Sequence, residues 1–405
     1  MKSMIRILIN VLMYFLSGFS IRSKNRVIFG AWDGNIYGDN SKYLFEYLLK
    51  EEDLELIWVG RDTIKEKLPT NKNVKFVRIN TVKAYYYGLT AKYVFFTNGY
   101  SDITKVYCLR GAVITQLWHG GGIKRILADS VEAKRKKGSL PIGRWYNYII
   151  GKHTFNKCQF FITSSEEREK NILSAFRYFG IKEKYVIRHG QPRNDLLVNH
   201  CENEILKLKD KFKKEFNIPY EKKIILYLPT FRDKKQEVNF SFFDLVKSDR
   251  KLKGILIENN AMIIEKRHIK VAKDSNTNEH SELFYDLTAQ SKNIDTQELL
   301  LISDILITDY SGVYLDFLLL DKPIIHFAYD YEYYKKEDRG FKYDIKDVAG
   351  GVFVEKTEDL INELRLHLCD RNKSKDIRDS MNILMNSYEN GESCQHIVEV
   401  VFGRK

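Results

Sequence analysis

The stretch SDILITDYSGVYLDFLLLDKPIIHF, Ser303 to Phe327, reads as strand, turn, helix and strand. Two short runs rich in β-branched residues, ILIT and IIHF, flank a segment whose apolar residues can cover a sheet face. Thr308, Asp309, Tyr310, Ser311 and Gly312 make the polar turn that links the first strand to the helix. A strand, a helix and a second strand in that order form a βαβ unit, which requires parallel strands.

The same alternation continues in both directions. Upstream, RVIFGAW (Arg26–Trp32), LELIWVG, VKFVRI, YVFFTN, AVITQLW, QFFITSS and YVIRHG each precede polar or helical sequence. Asp39 or Asn40 is a candidate cap for the helix after the first run. A Lys/Glu-rich helix near residues 199–220 separates these runs from KIILYLPT, AMIIEKRH, SELFYDL and GGVFVEK. A chain of 405 residues exceeds one ordinary core. The expected fold is α/β, two doubly wound, Rossmann-like domains facing a cleft at the carboxyl ends of their strands. The boundaries read as a membrane-associating helix over 1–25, α/β domains over 26–200 and 201–370, and helices over 371–405 that pack back across both.

Composition narrows the function. With 30% charged and 44% hydrophobic residues the chain is globular, and its net charge of +12 points to anionic partners. No helix-turn-helix, zinc-finger or RNP-like pattern accompanies that charge, which argues against nucleic acid. The five cysteines, Cys108, Cys158, Cys201, Cys369 and Cys394, are scattered and never in CxxC spacing. Neither a disulfide framework nor a zinc site fits them, and a reducing compartment does. The N-terminal run Met4–Ile21 is apolar but interrupted by Arg6, Asn10, Ser17 and Ser20, with basic residues on both sides. An interfacial amphipathic helix on an anionic leaflet is the preferred reading, with a membrane span, a signal peptide or a buried helix as alternatives.

Five polar clusters fall just after strands. The stretch QLWHGGGIKR holds His119, Gly120, Gly121 and Gly122, followed by Lys124 and Arg125. RHGQPRND offers Arg193, with Pro192 shaping a turn. YLPTFRD offers Thr230, Arg232 and Asp233, and IIEKRH delivers Lys266, Arg267 and His268. The fifth is the Thr308–Gly312 turn, whose helix start and Ser311 hydroxyl could hold an anion, with Asp316 one turn further on. Each has a plainer reading. A single histidine in a turn is often structural, Arg193 and Arg232 could be ordinary ion pairs, and Asp316 could simply favour its helix start. AKRKKG (Ala133–Gly138) reads as a solvated charge run and His326 as a core histidine. Together the clusters suit phosphoryl or nucleotidyl transfer, in which cations and N–H groups hold phosphate and a histidine moves the proton.

The wording of these clusters, HGGG, GQPRND, PTFRD, EKRH and SDILITDYSGVYLDFLLLDKP, resembles the CDP-glycerol glycerophosphotransferase family of teichoic-acid primases and polymerases. The resemblance runs from about Val113 to Phe353. It implies a GT-B fold, a peripheral enzyme on the cytoplasmic face of the membrane, and no metal or organic cofactor. The implied donor is CDP-glycerol or CDP-ribitol and the implied acceptor a lipid-linked glycopolymer, with CMP released. His119 would then be the general base, and His268 with Arg232 would stabilise the diphosphate. Thr308, Ser311 and Gly312 would hold phosphate, and Asp309 and Asp316 match acidic positions. The chain departs from the family pattern where Gly121 and Gly122 stand for Thr-Pro, Gly312 for a second serine, and Ile269 for proline. A nucleotide-sugar glycosyltransferase and a non-catalytic glycopolymer- or membrane-binding protein are the competing readings. The polyol and the oligomeric state stay open.

Overall fold

The computed structural model describes residues 2–130, 157–177, 181–216, 218–219, 221–230, 232, 240–267, 280–290, 293–337 and 341–403. His268, Asp233 and the run Ala133–Gly138 lie outside the described residues. The chain divides into two compact units, one of residues 1–120, 126–195 and 388–405, the other of residues 121–125 and 196–387.

The first unit is built on a parallel sheet. Its strands are β1 (Ser23–Gly30), β2 (Glu55–Gly60), β3 (Val74–Arg78), β4 (Ala91–Phe96), β5 (Val113–Gln116), β6 (Phe160–Ile162) and β7 (Val186–Ile187). Their spatial order is β3-β2-β1-β4-β5-β6-β7, and every pairing is parallel. Burial on both faces explains the unbroken apolar runs of such strands. In β1, Val27 and Phe29 enter one core and Ile28 the other.

The second unit repeats the plan with β8 (Lys223–Leu228), β9 (Ala261–Glu265), β10 (His280–Ser281), β11 (Phe284–Asp286), β12 (Ile305–Thr308), β13 (Ile324–Phe327) and β14 (Val352–Val354). The order is β10-β11-β9-β8-β12-β13-β14, parallel except for the antiparallel β10–β11 pair at the edge. Ile305 and Ile307 of β12 pack on one face and Leu306 on the other, all at most 2% exposed. Each such side chain contributes roughly 1.5–3 kcal/mol by leaving water.

In each sheet the strand order reverses beside the first strand, between β1 and β4 and between β8 and β12. Crevices at the carboxyl ends of such strands are where open α/β sheets bind ligands. The two helices Thr357–Cys369 and Lys375–Asn386 belong to the second unit, whereas Ser393–Phe402 belongs to the first. Asp195 anchors the last of these, accepting from the N–H groups of Ser393 and Cys394 at 2.9 and 2.8 Å.

The N-terminal helix spans Lys2–Ser17. Leu8, Ile9, Leu12, Phe15 and Leu16 are exposed along it, and Phe19 and Ile21 follow at 87% and 92% exposure. No helix among the described residues is long and apolar enough to cross a membrane.

Candidate active site

In the first unit, β5 ends in the turn that carries His119. Trp118 adopts φ +45°, a left-handed conformation uncommon for a bulky residue, and such strain persists only where surrounding structure enforces it. The enforcement is visible. Asn40 Nδ2 donates to the Leu117 and Trp118 carbonyls at 2.9 and 2.6 Å. Arg193 donates its backbone N–H to Asn40 Oδ1 at 3.1 Å, and its guanidinium bonds Asp39 Oδ1 at 2.7 Å and the His119 carbonyl at 3.1 Å. Asp39 also receives Trp32 Nε1–H at 2.9 Å. The helix Asp39–Tyr47 has Gly38 at its N-cap position without a side-chain cap bond, so Asp39 and Asn40 do not play the capping role expected of them. They organise the His119 turn instead. Arg193 is buried within this network and braces the backbone of His119.

The imidazole lies between two indoles, with centroids 4.6 Å from Trp32 and 4.3 Å from Trp118. Its Nδ1 is 3.3 Å from the Thr97 carbonyl. A carbonyl only accepts, so this contact places the proton on Nδ1 and leaves Nε2 with its lone pair. Thr97 is itself fixed, because the fully buried Asp102 accepts from the N–H groups of Thr97, Asn98 and Asp33 at 3.0, 2.7 and 2.7 Å. Trp32, Thr97 and Asp102 carry no motif that a sequence reading would single out.

In the second unit, three segments converge at the reversal point of the sheet. Residues Gly121–Arg125 belong to this unit although His119 and Gly120 belong to the first. Gly122 has φ +80°, which proline cannot adopt, so a glycine here is a requirement of this turn. Lys124 Nζ lies 3.2 Å from Thr230 Oγ1 at the end of β8. The Thr230 N–H donates to Asp309 Oδ1 at 2.8 Å, tying the ends of β8 and β12 together.

The Thr308–Gly312 turn divides into bracing and outward groups. Thr308 Oγ1 donates to the Leu228 carbonyl at 2.7 Å and is fully buried. Tyr310, also buried, donates to Asp330 Oδ1 at 3.0 Å. Asp316 is 3% exposed and accepts from Gln297 at 3.1 Å. Ser311 and Gly312 are half-buried, and the helix they precede spans only Val313–Phe317 before a tighter turn at Leu318–Leu320. The Arg232 guanidinium makes a bidentate pair with Asp330, at 2.7 and 2.8 Å, and reaches Asp309 Oδ2 at 2.9 Å. These carboxylates and the Tyr329 ring, 5.1 Å away, outweigh burial and hold Arg232 in its charged form. Lys266 and Arg267, at the end of β9, bond Thr296 and the Glu265 carboxylate respectively. Burial pushes the Lys266 ammonium down to about 8, with Asp295 opposing it.

Two buried groups should give the units opposite responses to acid. Burial raises the Asp102 carboxyl from 3.8 to about 6, although its backbone hydrogen bonds oppose the shift. Its stabilising share is therefore full below pH 3.8 and lost as pH rises through about 6. Burial lowers His326 from 6.5 to about 4, although its bond to the Asp309 carbonyl opposes this. That share is full above pH 6.5 and lost as pH falls through about 4. Each shift amounts to roughly 3 kcal/mol. Amide protection factors, taken against the intrinsic exchange rate at each pH, are expected to rise in β4 and fall in β12 and β13 between pH 7 and 4. Asp102→Asn should flatten the first trend and His326→Gln the second. His326 is a satisfied core histidine, its Nε2 accepting from the Gly350 N–H at 3.1 Å.

The family model of CDP-Glycerol:Poly(glycerophosphate) glycerophosphotransferase matches residues 12–403. The teichoic acid poly(glycerol phosphate) polymerase of Bacillus spizizenii is 31% identical over 402 residues, covering 97% of this chain and 95% of that protein. The teichoic acid glycerol-phosphate transferase of Staphylococcus aureus is 29% identical, covering 94% and 93%. A solved structure of the wall teichoic acid polymerase TagF, in a His-to-Asn variant soaked with CDPG, superposes with a TM-score of 0.78 at 24% identity. It covers 98% of this chain and 93% of that one, so the two share a fold of two parallel-rich sheets.

Proposed function

The chain belongs to the CDP-glycerol:poly(glycerophosphate) glycerophosphotransferase family, and from that premise we propose that it transfers a polyol phosphate from a CDP-polyol to a hydroxyl of a lipid-linked acceptor in teichoic acid synthesis. The donor is CDP-glycerol first and CDP-ribitol second. The observation that carries the reading is the orientation of His119, whose Nδ1 faces the Thr97 carbonyl and whose Nε2 is thereby kept as a base. In the proposed step the acceptor oxygen attacks the phosphorus that bears the polyol. Nε2 takes the hydroxyl proton, the bridging P–O bond breaks, and CMP departs with the electron pair.

Ser311 and Gly312 supply the donor-facing side of the second unit, while Thr308, Asp309, Tyr310 and Asp316 hold that turn in shape. The proposed chemistry uses no metal or organic cofactor. With it go the GT-B reading of the fold and peripheral attachment to the cytoplasmic face of the membrane. The exposed apolar side chains from Leu8 to Ile21 and the net charge of +12 support attachment to an anionic leaflet.

The test is CMP release by purified protein given CDP-glycerol or CDP-ribitol with a membrane-derived acceptor, in the presence of EDTA. Acceptor-dependent CMP from one donor is the expected result and names the polyol. No CMP from either donor, with folded protein and a validated acceptor, would reject the reading.

A further inference from the structure

We propose that Glu389, in the C-terminal segment, is the positioning residue that holds the His119 turn in its working shape. The inference rests on the reading of His119 as the general base and deepens it. The chain returns to the first unit at Tyr388, so Glu389 is the second residue of that return. The main chain fixes its arrival, because the Tyr388 N–H donates to the Ser164 carbonyl at 2.8 Å. The carboxylate then accepts twice from one short turn. Glu389 Oε2 receives the Gln191 N–H at 3.1 Å, and Oε1 receives Asn194 Nδ2 at 2.8 Å.

That turn, Pro192–Asn194 with Gln191 before it, is what supports the base. Gln191 Oε1 accepts from Asn40 Nδ2 at 3.2 Å, and Gln191 Nε2 donates to Ser164 Oγ at 3.3 Å. Asn40 in turn holds the Leu117 and Trp118 carbonyls, while Arg193 holds Asn40 and the His119 carbonyl. Three hydrogen bonds thus connect Glu389, through Gln191 and Asn40, to the carbonyl of Trp118, the residue with the left-handed φ of +45°. Gln191, Arg193 and Asn194 are each at most 8% exposed, so water does not replace a bond lost here.

The sequence makes room for this carboxylate. Gly190 has φ +80°, and a Cβ there would collide with Glu389 Oε2 and stand 2.8 Å from Ser393 Oγ. Glycine at the head of GQPRND therefore admits both the turn and its acceptor. Burial raises the Glu389 carboxyl from 4.5 to about 7, with Arg168, Ser164, Asn194 and the Gln191 N–H opposing the shift. Above that pH both oxygens accept, one for each donor of the turn. An amide in its place has one acceptor oxygen and would turn its own N–H groups on the second donor.

The experiment reads the His119 imidazole directly, by nuclear magnetic resonance of the full chain with isotope-labelled histidine at pH 8. The His119 resonances are identified by their loss in His119→Gln. The wild-type ring is expected as the Nδ1–H tautomer, shifted upfield by the two indoles beside it. In Glu389→Gln, with a thermal melt showing folded protein, the upfield shift should shrink and the mixed tautomers of a free imidazole appear. In CMP release, kcat should fall about 10- to 100-fold with the donor KM unchanged, the cost of a misplacement of roughly 1 Å. Gln191→Met keeps the carboxylate and cuts the side-chain link to Asn40. It should move the same resonances the same way, and it decides the matter where Glu389→Gln does not fold. The double variant Glu389→Gln with Asn194→Asp, in which an amide donates where the carboxylate accepted, should recover part of both readouts. Wild-type resonances or a wild-type kcat in folded Glu389→Gln overturn the inference and leave Glu389 a stabilising residue only. Moved resonances in a protein whose wild type releases no CMP support the brace and overturn the proposed activity instead.

Discussion

Replacing His119 with alanine is expected to cut turnover by about 10²–10⁴-fold, the usual contribution of a positioned general base, with CDP affinity essentially unchanged. The separation follows from where the imidazole sits. Its position depends on Trp32, Trp118 and the Thr97 carbonyl in the first unit, whereas Thr230, Ser311 and Gly312 belong to the second. The side chain can be removed without touching the Arg193 bond, because that bond goes to the backbone carbonyl of residue 119. His119→Ala should therefore keep the fold and the turn and lose only the proton acceptor. Single-turnover CMP release with saturating donor is the direct measurement. A drop confined to KM, with kcat intact, would assign His119 to binding and leave the base unidentified.

The second large effect concerns stability. Arg232→Ala leaves Asp309, which is fully buried, and Asp330 without their counter-charge. Breaking a buried ion pair from one side costs about 3–5 kcal/mol, because the remaining charge stays desolvated. For a unit of this size that corresponds to a fall of roughly 10 °C in the melting temperature. Thr230 N–H, Tyr310 N–H and the Arg232 guanidinium all converge on Asp309, so the turn itself should loosen. CDP binding would then be lost as a secondary effect. Were Arg232 mainly a phosphate ligand, the melt would be nearly unchanged and only binding would suffer. Differential scanning calorimetry beside CDP titration separates the two. The double variant Arg232→Met with Asp330→Asn, which removes charge of both signs, should recover part of the stability.

Much of the architecture was legible because parallel strands buried on two faces leave a local signature. Val27–Phe29, Ile224–Leu228 and Ile305–Ile307 are unbroken apolar runs, and each forms a strand. The polar turns proposed to carry the chemistry were legible for a related reason, since polar residues directly after such runs must sit at the carboxyl ends of strands. Trp118–His119, Thr230 and Asp309–Gly312 all do. The edge pair β10–β11 was less legible, because two- and three-residue strands carry no period.

What the sequence determined by itself was therefore the class of fold, the places of the polar turns at strand ends and the family. Those follow from local pattern, in which each residue's role depends on its immediate neighbours along the chain. Tertiary structure alone decided which charges are already matched and which groups brace others. Arg232 meets Asp309 and Asp330 across 77 and 98 residues, Arg193 meets Asp39 across 154, and Lys124 meets Thr230 across 106. The same is true of the contact between Gly121 and Gly312. No local propensity encodes such pairings, because each exists only once the sheets have brought distant strand ends together. A guanidinium beside two carboxylates and a guanidinium facing phosphate are written with the same letter.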